Sequence, residues 1–181
     1  NSYTADNQIW PSVAMDADGD FVITWSSYAQ ETGGQPGSGY GVYARRFDSA
    51  GQPMAPEFQV NVTTSRNQQY SVVDMSSQGS FVIAWQSDQG GSLGDDIMAR
   101  VFNADGSPLS TLSRSEIIVN DTRTGSQRYP DVSMTPDGNN FVCTWTASGS
   151  QDGSGNGVYG QLINVPLLQQ QVAGNPIETY S

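Results

Sequence analysis

The sequence predicts an all-β protein made of three repeats, each folding into four antiparallel strands. Three segments match along the chain: QIWPSVAMDADGDFVITW, QQYSVVDMSSQGSFVIAW and QRYPDVSMTPDGNNFVCTW. Their phenylalanines, Phe21, Phe81 and Phe141, lie 60 residues apart. Within each segment apolar residues alternate with their neighbours, the period of a strand with one buried face. Repeats of this length are single supersecondary units that stack on one another, so we expect one structural domain.

The repeat boundaries and the four strands follow from the same alignment. We place the repeats at 1–60, 61–119 and 120–181. In the first repeat, strands are predicted around Val13, over FVITW, over GVYARRF and around Phe58, with Gly, Asp, Asn and Pro between them. The third repeat lacks the DxxGxP turn that follows the third strand of the other two repeats. The run VPLLQQQVAG from Val165 is the one candidate for a helix.

The acidic stretch DADGD resembles a calcium-binding loop. Its carboxylates are Asp16, Asp18 and Asp20, but the second repeat has none at these positions and keeps only the glycine, as Gly79. A glycine there supplies the positive φ of a tight hairpin, and the preceding Asp bonds to the backbone. We therefore predict a structural turn, with a calcium site at the three aspartates as the alternative.

The composition excludes several kinds of chemistry. There are 18 acidic residues against 7 basic ones, no histidine, and a net charge of -11. All the basic residues are arginines. A histidine general base and a lysine Schiff base are therefore absent, and an acidic surface repels nucleic acid and anionic lipid. We expect no nucleic-acid partner, no membrane insertion, and an extracellular or cell-surface location.

The single cysteine is predicted to be structural. Cys143 takes the place of Ile23 and Ile83 on the inward face of its strand. A small buried hydrophobe with no neighbouring base is not a nucleophile.

The glycine-rich loops between the second and third strands vary most between repeats. Loops on one face of a repeat scaffold often carry binding sites. With the loop carbonyls, their carboxylates form a second candidate calcium site: Glu31, Asp88, Asp95, Asp96 and Asp152. The alternative is a solvated connection.

Aromatic residues suggest a different ligand. Trp10, Tyr70 and Tyr129 stand at the same position of the three repeats, and Tyr28 and Tyr40 border the first variable loop. Aromatic rings of this kind stack on sugars, so these five are candidate ligand-binding residues.

The repeat resembles tandem units of very large secreted or surface-attached bacterial proteins, units that look like β-propeller blades. The pattern is Q-x-x-P-x-V-x-M-x-x-x-G-x-F-V-I-x-W, a glycine-rich loop, G-V-Y-A-R-R-F-D-x-x-G-x-P and F-x-V-N. Asp18, Gly19 and Trp25 also resemble the Asp-box turn of sialidase-like propellers. The resemblance implies a blade fold and carries no catalytic residues over.

Three blades do not make an ordinary ring, because propellers have four to eight. We expect the outer blades to be covered by copies of the chain or by neighbouring domains of a longer protein; a β-trefoil-like threefold barrel is the alternative fold. The function predicted first is a non-catalytic extracellular module for adhesion or self-assembly at a cell surface. The alternatives are a carbohydrate-binding, lectin-like module and a subunit of an extracellular filament. No pair of carboxylates recurs as an acid and a base, so we expect no enzyme activity and no cofactor other than calcium.

Overall fold

The computed structural model describes residues 1–32, 39–90, 94–109, 116–149 and 153–170. Within these ranges the chain forms strands that follow one another in three groups. The first group is β1 (Gln8–Met15), β2 (Phe21–Tyr28), β3 (Tyr40–Phe47) and β4 (Phe58–Gln59). The second is β5 (Gln68–Met75), β6 (Phe81–Asp88), β7 (Asp95–Phe102) and β8 (Ile117–Ile118). The third is β9 (Gln127–Met134), β10 (Asn140–Ala147) and β11 (Gly157–Asn164).

Each group forms one antiparallel sheet in which neighbours along the chain are neighbours in the sheet. The first and second sheets have four strands, and the third has three among the described residues. The prediction of antiparallel blades is confirmed at this level, whereas a fourth strand in the last repeat is not seen in the part of the chain that is described. Within the described ranges the three sheets are separate and do not close into a barrel, so the trefoil-like alternative is wrong.

The turn between the first two strands of each sheet is stabilised by its first residue. The carboxylate of Asp16 accepts the N–H groups of Asp18 and Asp20, both at 3.0 Å. In the second sheet the hydroxyl of Ser76 accepts the N–H of Ser80 at 3.1 Å. The glycine of the first turn, Gly19, has φ of 88°. The predicted structural turn is therefore formed, and a hydroxyl replaces the carboxylate without changing its role.

The hydrophobic core consists of two layers, one on each side of the second sheet. Phe81, Ile83 and Trp85 face the first sheet, and Val82 and Ala84 face the third. The second sheet is consequently buried on both faces, where the alternation predicted only one strongly buried face. The difference arises because a strand between two stacked sheets has no solvent side.

Two phenylalanine rings stack where the second strand of a sheet begins and the third strand ends, in both the first and the second sheet. Phe21 lies on Phe47 with ring centroids 5.0 Å apart, and Phe81 lies on Phe102 at 4.9 Å. Such aromatic cross-strand pairs fix the register of the two central strands.

One short helix follows the third sheet. The helix α1 (Val165–Gln170) begins directly after β11 and buries Val165 and Leu168 in the layer between the second and third sheets. It starts where the sequence suggested a weak helical run. Among the described residues no helix is long and apolar enough to cross a membrane.

Candidate functional site

The first strand of every sheet contains the same bulge, and an aromatic residue sits in it. The pairing of β1 with β2 shifts between Ile9 and Ser12, and β5 and β9 shift at the corresponding places. The bulged aromatics have left-handed backbone conformations, with φ of 54° at Trp10, 56° at Tyr70 and 56° at Tyr129. Non-glycine residues rarely adopt such angles. The fold therefore keeps an aromatic residue at a position where glycine would adopt the same backbone conformation without strain.

The bulges bring the five predicted ligand-binding aromatics into one continuous row, here called the aromatic arc. Neighbouring ring centroids are 5.2 Å apart for Tyr28 and Tyr40, 5.4 Å for Tyr40 and Trp10, 4.2 Å for Trp10 and Tyr70, and 5.3 Å for Tyr70 and Tyr129. The row crosses all three sheets because β1, β5 and β9 lie side by side. It lies where these strands begin and β2 ends, called the upper end of the sheets.

The arc is open to solvent. Trp10 is 37% exposed and Tyr129 is 60% exposed, and the other three rings are partly exposed. The remaining tryptophans are buried in or beside the core: Trp25, Trp85 and Trp145. Exposed aromatic rings in mutual contact form the kind of amphipathic surface that binds ligands by stacking.

Charged residues border the arc in the second sheet. Asp88 and Asp95 face each other across β6 and β7, the same register positions as Tyr28 and Tyr40 in the first sheet. Asp95 is neutralised by Arg128, whose Nε lies 2.7 Å from its carboxylate. Since Arg128 precedes Tyr129 in the chain, this ion pair lies next to the arc and supplies polar groups beside the stacking surface.

Asp96 is held in a separate polar cluster. Its side chain is 1% exposed and accepts hydrogen bonds from Asn120 at 2.9 Å and from Arg123 at 2.5 Å and 3.0 Å. Such donors offset the cost of removing a carboxylate from water. Asn120 also accepts the N–H of Ile97 and so joins the cluster to the edge of β7.

In the first sheet the corresponding carboxylate comes from a different element. Glu31 lies in the 3₁₀ helix Gln30–Thr32 and accepts hydrogen bonds from Gln59 at 2.6 Å and Asn61 at 2.9 Å. Burial raises the pKa of Glu31, and the hydrogen bonds from Asn61 and Gln59 oppose that rise. Its second carboxylate oxygen is buried without a hydrogen-bond partner. No arginine of the described residues pairs with it.

The carboxylates predicted to bind calcium fall into two sets. Asp16, Asp18 and Asp20 lie in the turn at the opposite end of the strands from the arc, which eight-residue strands place about 20 Å away. Asp88, Asp95 and Asp96 lie at the upper end, and Glu31 lies just beyond the end of β2 on the same side. Asp152 is outside the described residues. Within those residues no group of three acidic, histidine or cysteine side chains is arranged to hold a metal ion, and calcium binding stays a prediction.

Sequence reasoning singled out the aromatics and the neighbouring aspartates, but it missed the groups that bind these carboxylates. Arg123, Arg128 and the link between Glu31 and Asn61 were not predicted, because these contacts join loops from different strands. One signal was available in the sequence. Asn61 and Asn120 recur, but Gly41 stands where the next repeat has Asp96, so Asn61 needs a carboxylate from another position.

Three solved structures are similar in fold. The endo-arabinase from Bacteroides thetaiotaomicron has a TM-score of 0.51 at 11% identity, covering 87% of this chain and 56% of that chain. A thermostable family-43 glycoside hydrolase has a TM-score of 0.51 at 11% identity, covering 88% and 55%. The endo-1,4-beta-xylanase from Bacteroides thetaiotaomicron has a TM-score of 0.53 at 10% identity, covering 87% and 55%. No protein-family model and no curated protein matches the sequence.

These similarities show the fold. The three sheets resemble part of a five-bladed β-propeller domain, and the chain spans just over half the length of these proteins. The propeller part of the predicted resemblance is thereby confirmed. The origin of the repeats in large secreted bacterial proteins stays a prediction.

The comparison also corrects two expectations. The function predicted first, a non-catalytic module for adhesion or self-assembly at a cell surface, is wrong, because the proteins of similar fold are glycoside hydrolases. The same comparison contradicts the expectation of no enzyme activity, because the fold is shared with glycoside hydrolases. That expectation was based on the absence of a carboxylate pair that recurs in every repeat. An active site formed jointly by several blades occurs once, so its residues need not recur in each blade. The carbohydrate-binding alternative agrees better with the comparison.

Proposed function

We propose that this chain binds carbohydrate at its upper end, with the aromatic arc as the stacking surface. The observation that carries the proposal is the contact of five partly exposed rings, from Tyr28 to Tyr129, in one row across three sheets. A row of this size is larger than a single sugar ring covers, so the proposed ligand is an oligosaccharide or polysaccharide. The extracellular location expected from the acidic composition is part of the same proposal.

The strained backbone supports a functional role for the rings. A non-glycine residue held in a left-handed conformation costs about 1–3 kcal/mol. Trp10, Tyr70 and Tyr129 all accept that cost at the same bulge. Exposed Tyr129 in particular gains little burial in return, and side chains kept against their backbone preference concentrate at binding sites.

The fold comparison supports the class of ligand. The similar structures are an endo-arabinase, a family-43 glycoside hydrolase and an endo-1,4-beta-xylanase. Arabinan and xylan are therefore the first probes to use.

Tryptophan fluorescence gives a direct test, because Trp10 is the exposed tryptophan and the other three are buried. We expect arabinan or xylan to protect Trp10 from iodide quenching. Tyr129→Gly removes a ring and relaxes the backbone, so it should weaken binding about tenfold while leaving the fold intact. Tyr129→Phe keeps the ring and is the matched control. Equal binding by the glycine and phenylalanine variants, or no protection of Trp10 by either polysaccharide, contradicts the proposal.

Hydrolysis of the same polysaccharide is a second candidate. It is favoured by Glu31, whose second carboxylate oxygen is buried without a hydrogen-bond partner and whose pKa is raised by burial. Release of reducing sugar from arabinan or xylan, lost in Glu31→Gln, would assign this activity. Binding without release in the wild-type chain would leave carbohydrate binding as the function.

A further inference from the structure

The two outer sheets expose apolar residues at positions that are buried in the middle sheet. On the first sheet Met15 is 61% exposed, and its counterpart Met75 is 9% exposed. On the third sheet Val158 is 82% exposed, and its counterpart Ile97 is fully buried. The same contrast holds for other exposed residues of these faces: Val13, Val142 and Leu162. Each end of the stack therefore presents a face that the repeat normally covers with another sheet.

The two exposed faces are complementary because each copies one half of an internal interface. The second sheet meets the first through Phe81, Ile83 and Trp85. The first sheet carries a phenylalanine, an isoleucine and a tryptophan at the same places on its outer face: Phe21, Ile23 and Trp25. An apolar groove on that face is lined by Ile9, Ile23, Trp25 and Phe47. The outer face of the third sheet is equivalent to the inner face of the first sheet, which packs against Phe81, Ile83 and Trp85.

A hydrogen bond recurs between the third strand of a sheet and the asparagine that follows its last strand. The side-chain carbonyl of Asn61 accepts the N–H of Val42 at 2.7 Å, and that of Asn120 accepts the N–H of Ile97 at 2.7 Å. Each asparagine follows the last strand of a sheet and leads into the next one. Asn1 is the counterpart at the start of the first sheet, and Val158 is the counterpart of Val42 and Ile97 on β11.

Asn1 already has part of the same geometry. Its amide donates to the carbonyl of Tyr3, as the amide of Asn61 donates to the carbonyl of Thr63. Glu57 also accepts the N–H groups of Ser2 and Tyr3, as Glu116 does for the equivalent residues in the second sheet. The segment leading into the first sheet is thus arranged as if a sheet preceded it.

The outer face of the first sheet lacks a hydrogen bond that the other two sheets have. Trp85 donates to Gln68 at 3.0 Å, and Trp145 donates to Gln127 at 2.9 Å. In the first sheet Gln8 instead accepts from Asn1 at 2.9 Å, and the indole N–H of Trp25 is buried without a partner. If Asn1 turned to an N–H of a preceding sheet, Gln8 would be free to accept from Trp25.

We propose that a second copy of this chain is the partner, and that two copies form a head-to-tail dimer. The outer face of the first sheet of each copy packs against the outer face of the third sheet of the other, and Asn1 of one copy bonds to the N–H of Val158 in the other. Two identical contacts close a ring of six blades, within the range of known propellers. The proposal does not depend on carbohydrate binding.

Sedimentation velocity over a range of protein concentrations tests the dimer. At a net charge of -11 the copies repel each other, so added salt should strengthen association. Leu162→Arg on the third sheet and Met15→Arg on the first sheet should each raise the dissociation constant about tenfold or more, since a charge would be buried without a partner. Val62→Arg is the control, because Val62 is exposed in the linker between the first two sheets.

Mixing the two variants tests the head-to-tail arrangement. A pair of Leu162→Arg and Met15→Arg chains has one contact in which both faces are wild-type, so the mixture should associate more strongly than either variant alone. A wild-type chain that stays monomeric at all concentrations and salt levels overturns the proposal. Open assemblies larger than a dimer, or a mixture no stronger than its components, overturn it as well.

Discussion

The carboxylate of Glu31 fills the space in front of Gly41, where a side chain at position 41 would collide with it. In the second sheet Asp96 occupies the position of Gly41 and bonds to Asn120, as Glu31 bonds to Asn61. The fold therefore supplies a carboxylate to the same asparagine from a loop in one sheet and from a strand in the next.

This relationship predicts a compensating pair of substitutions. Gly41→Asp alone should lower the free energy of unfolding by about 1–3 kcal/mol, because its side chain overlaps that of Glu31. Adding Glu31→Ala should recover most of the loss, since the new carboxylate can then bond to Asn61. Urea denaturation of the single and double variants gives the coupling energy. If the losses in the free energy of unfolding simply add, the carboxylate introduced by Gly41→Asp and that of Glu31 do not compete for the same position.

The pH dependence of stability should report on Glu31. Its pKa in the folded chain is raised by burial above the ordinary value of 4.5, so the native state binds this proton more tightly than the unfolded chain. That contribution is complete below pH 4.5 and is lost as the pH rises through the raised pKa. Glu31→Gln stays neutral throughout. Its free energy of unfolding should exceed that of the wild type near neutral pH and approach it in acid; parallel curves would contradict this account.

The two arginine pairs should differ in strength. Arg123→Ala leaves the buried carboxylate of Asp96 with Asn120 as its remaining side-chain donor and should cost about 1–3 kcal/mol. Arg128→Ala leaves the more accessible Asp95 and should cost less than about 1 kcal/mol. Thermal denaturation compares them directly. Adding Asp96→Asn should restore stability to the Arg123→Ala variant. A larger loss of stability in Arg128→Ala than in Arg123→Ala would contradict the stronger contribution of the Arg123–Asp96 pair.

The bulge predicts an order of stability at position 129. Tyr129 has φ of 56° and is largely exposed, so Tyr129→Gly should be more stable than Tyr129→Ala by about 1 kcal/mol. Val142, an exposed strand residue, provides the control, where glycine should be less stable than alanine. Chemical denaturation of the four variants measures both differences. Alanine more stable than glycine at position 129 would mean that the bulge is not strained.

Cys143 should be inert in the native protein. The thiol is fully buried, and burial together with the nearby charge of Asp131 raises its pKa to about 12. Labelling with an aromatic disulfide reagent at neutral pH should therefore proceed only as fast as the chain unfolds. Rapid labelling of the folded protein would contradict the buried position.

The sequence by itself determined the all-β class, the blade-like sheets, the turn at Gly19 and the inward position of Cys143, because these follow from local periodicity and from comparing the repeats. It also selected the five aromatics, since three of them recur at one position. Only the tertiary structure decided that they form a single row, because the bulges turn them toward one another across separate sheets. The partners of Glu31 and Asp96 and the burial of the middle sheet on both faces likewise depend on contacts between distant segments, which no local pattern encodes.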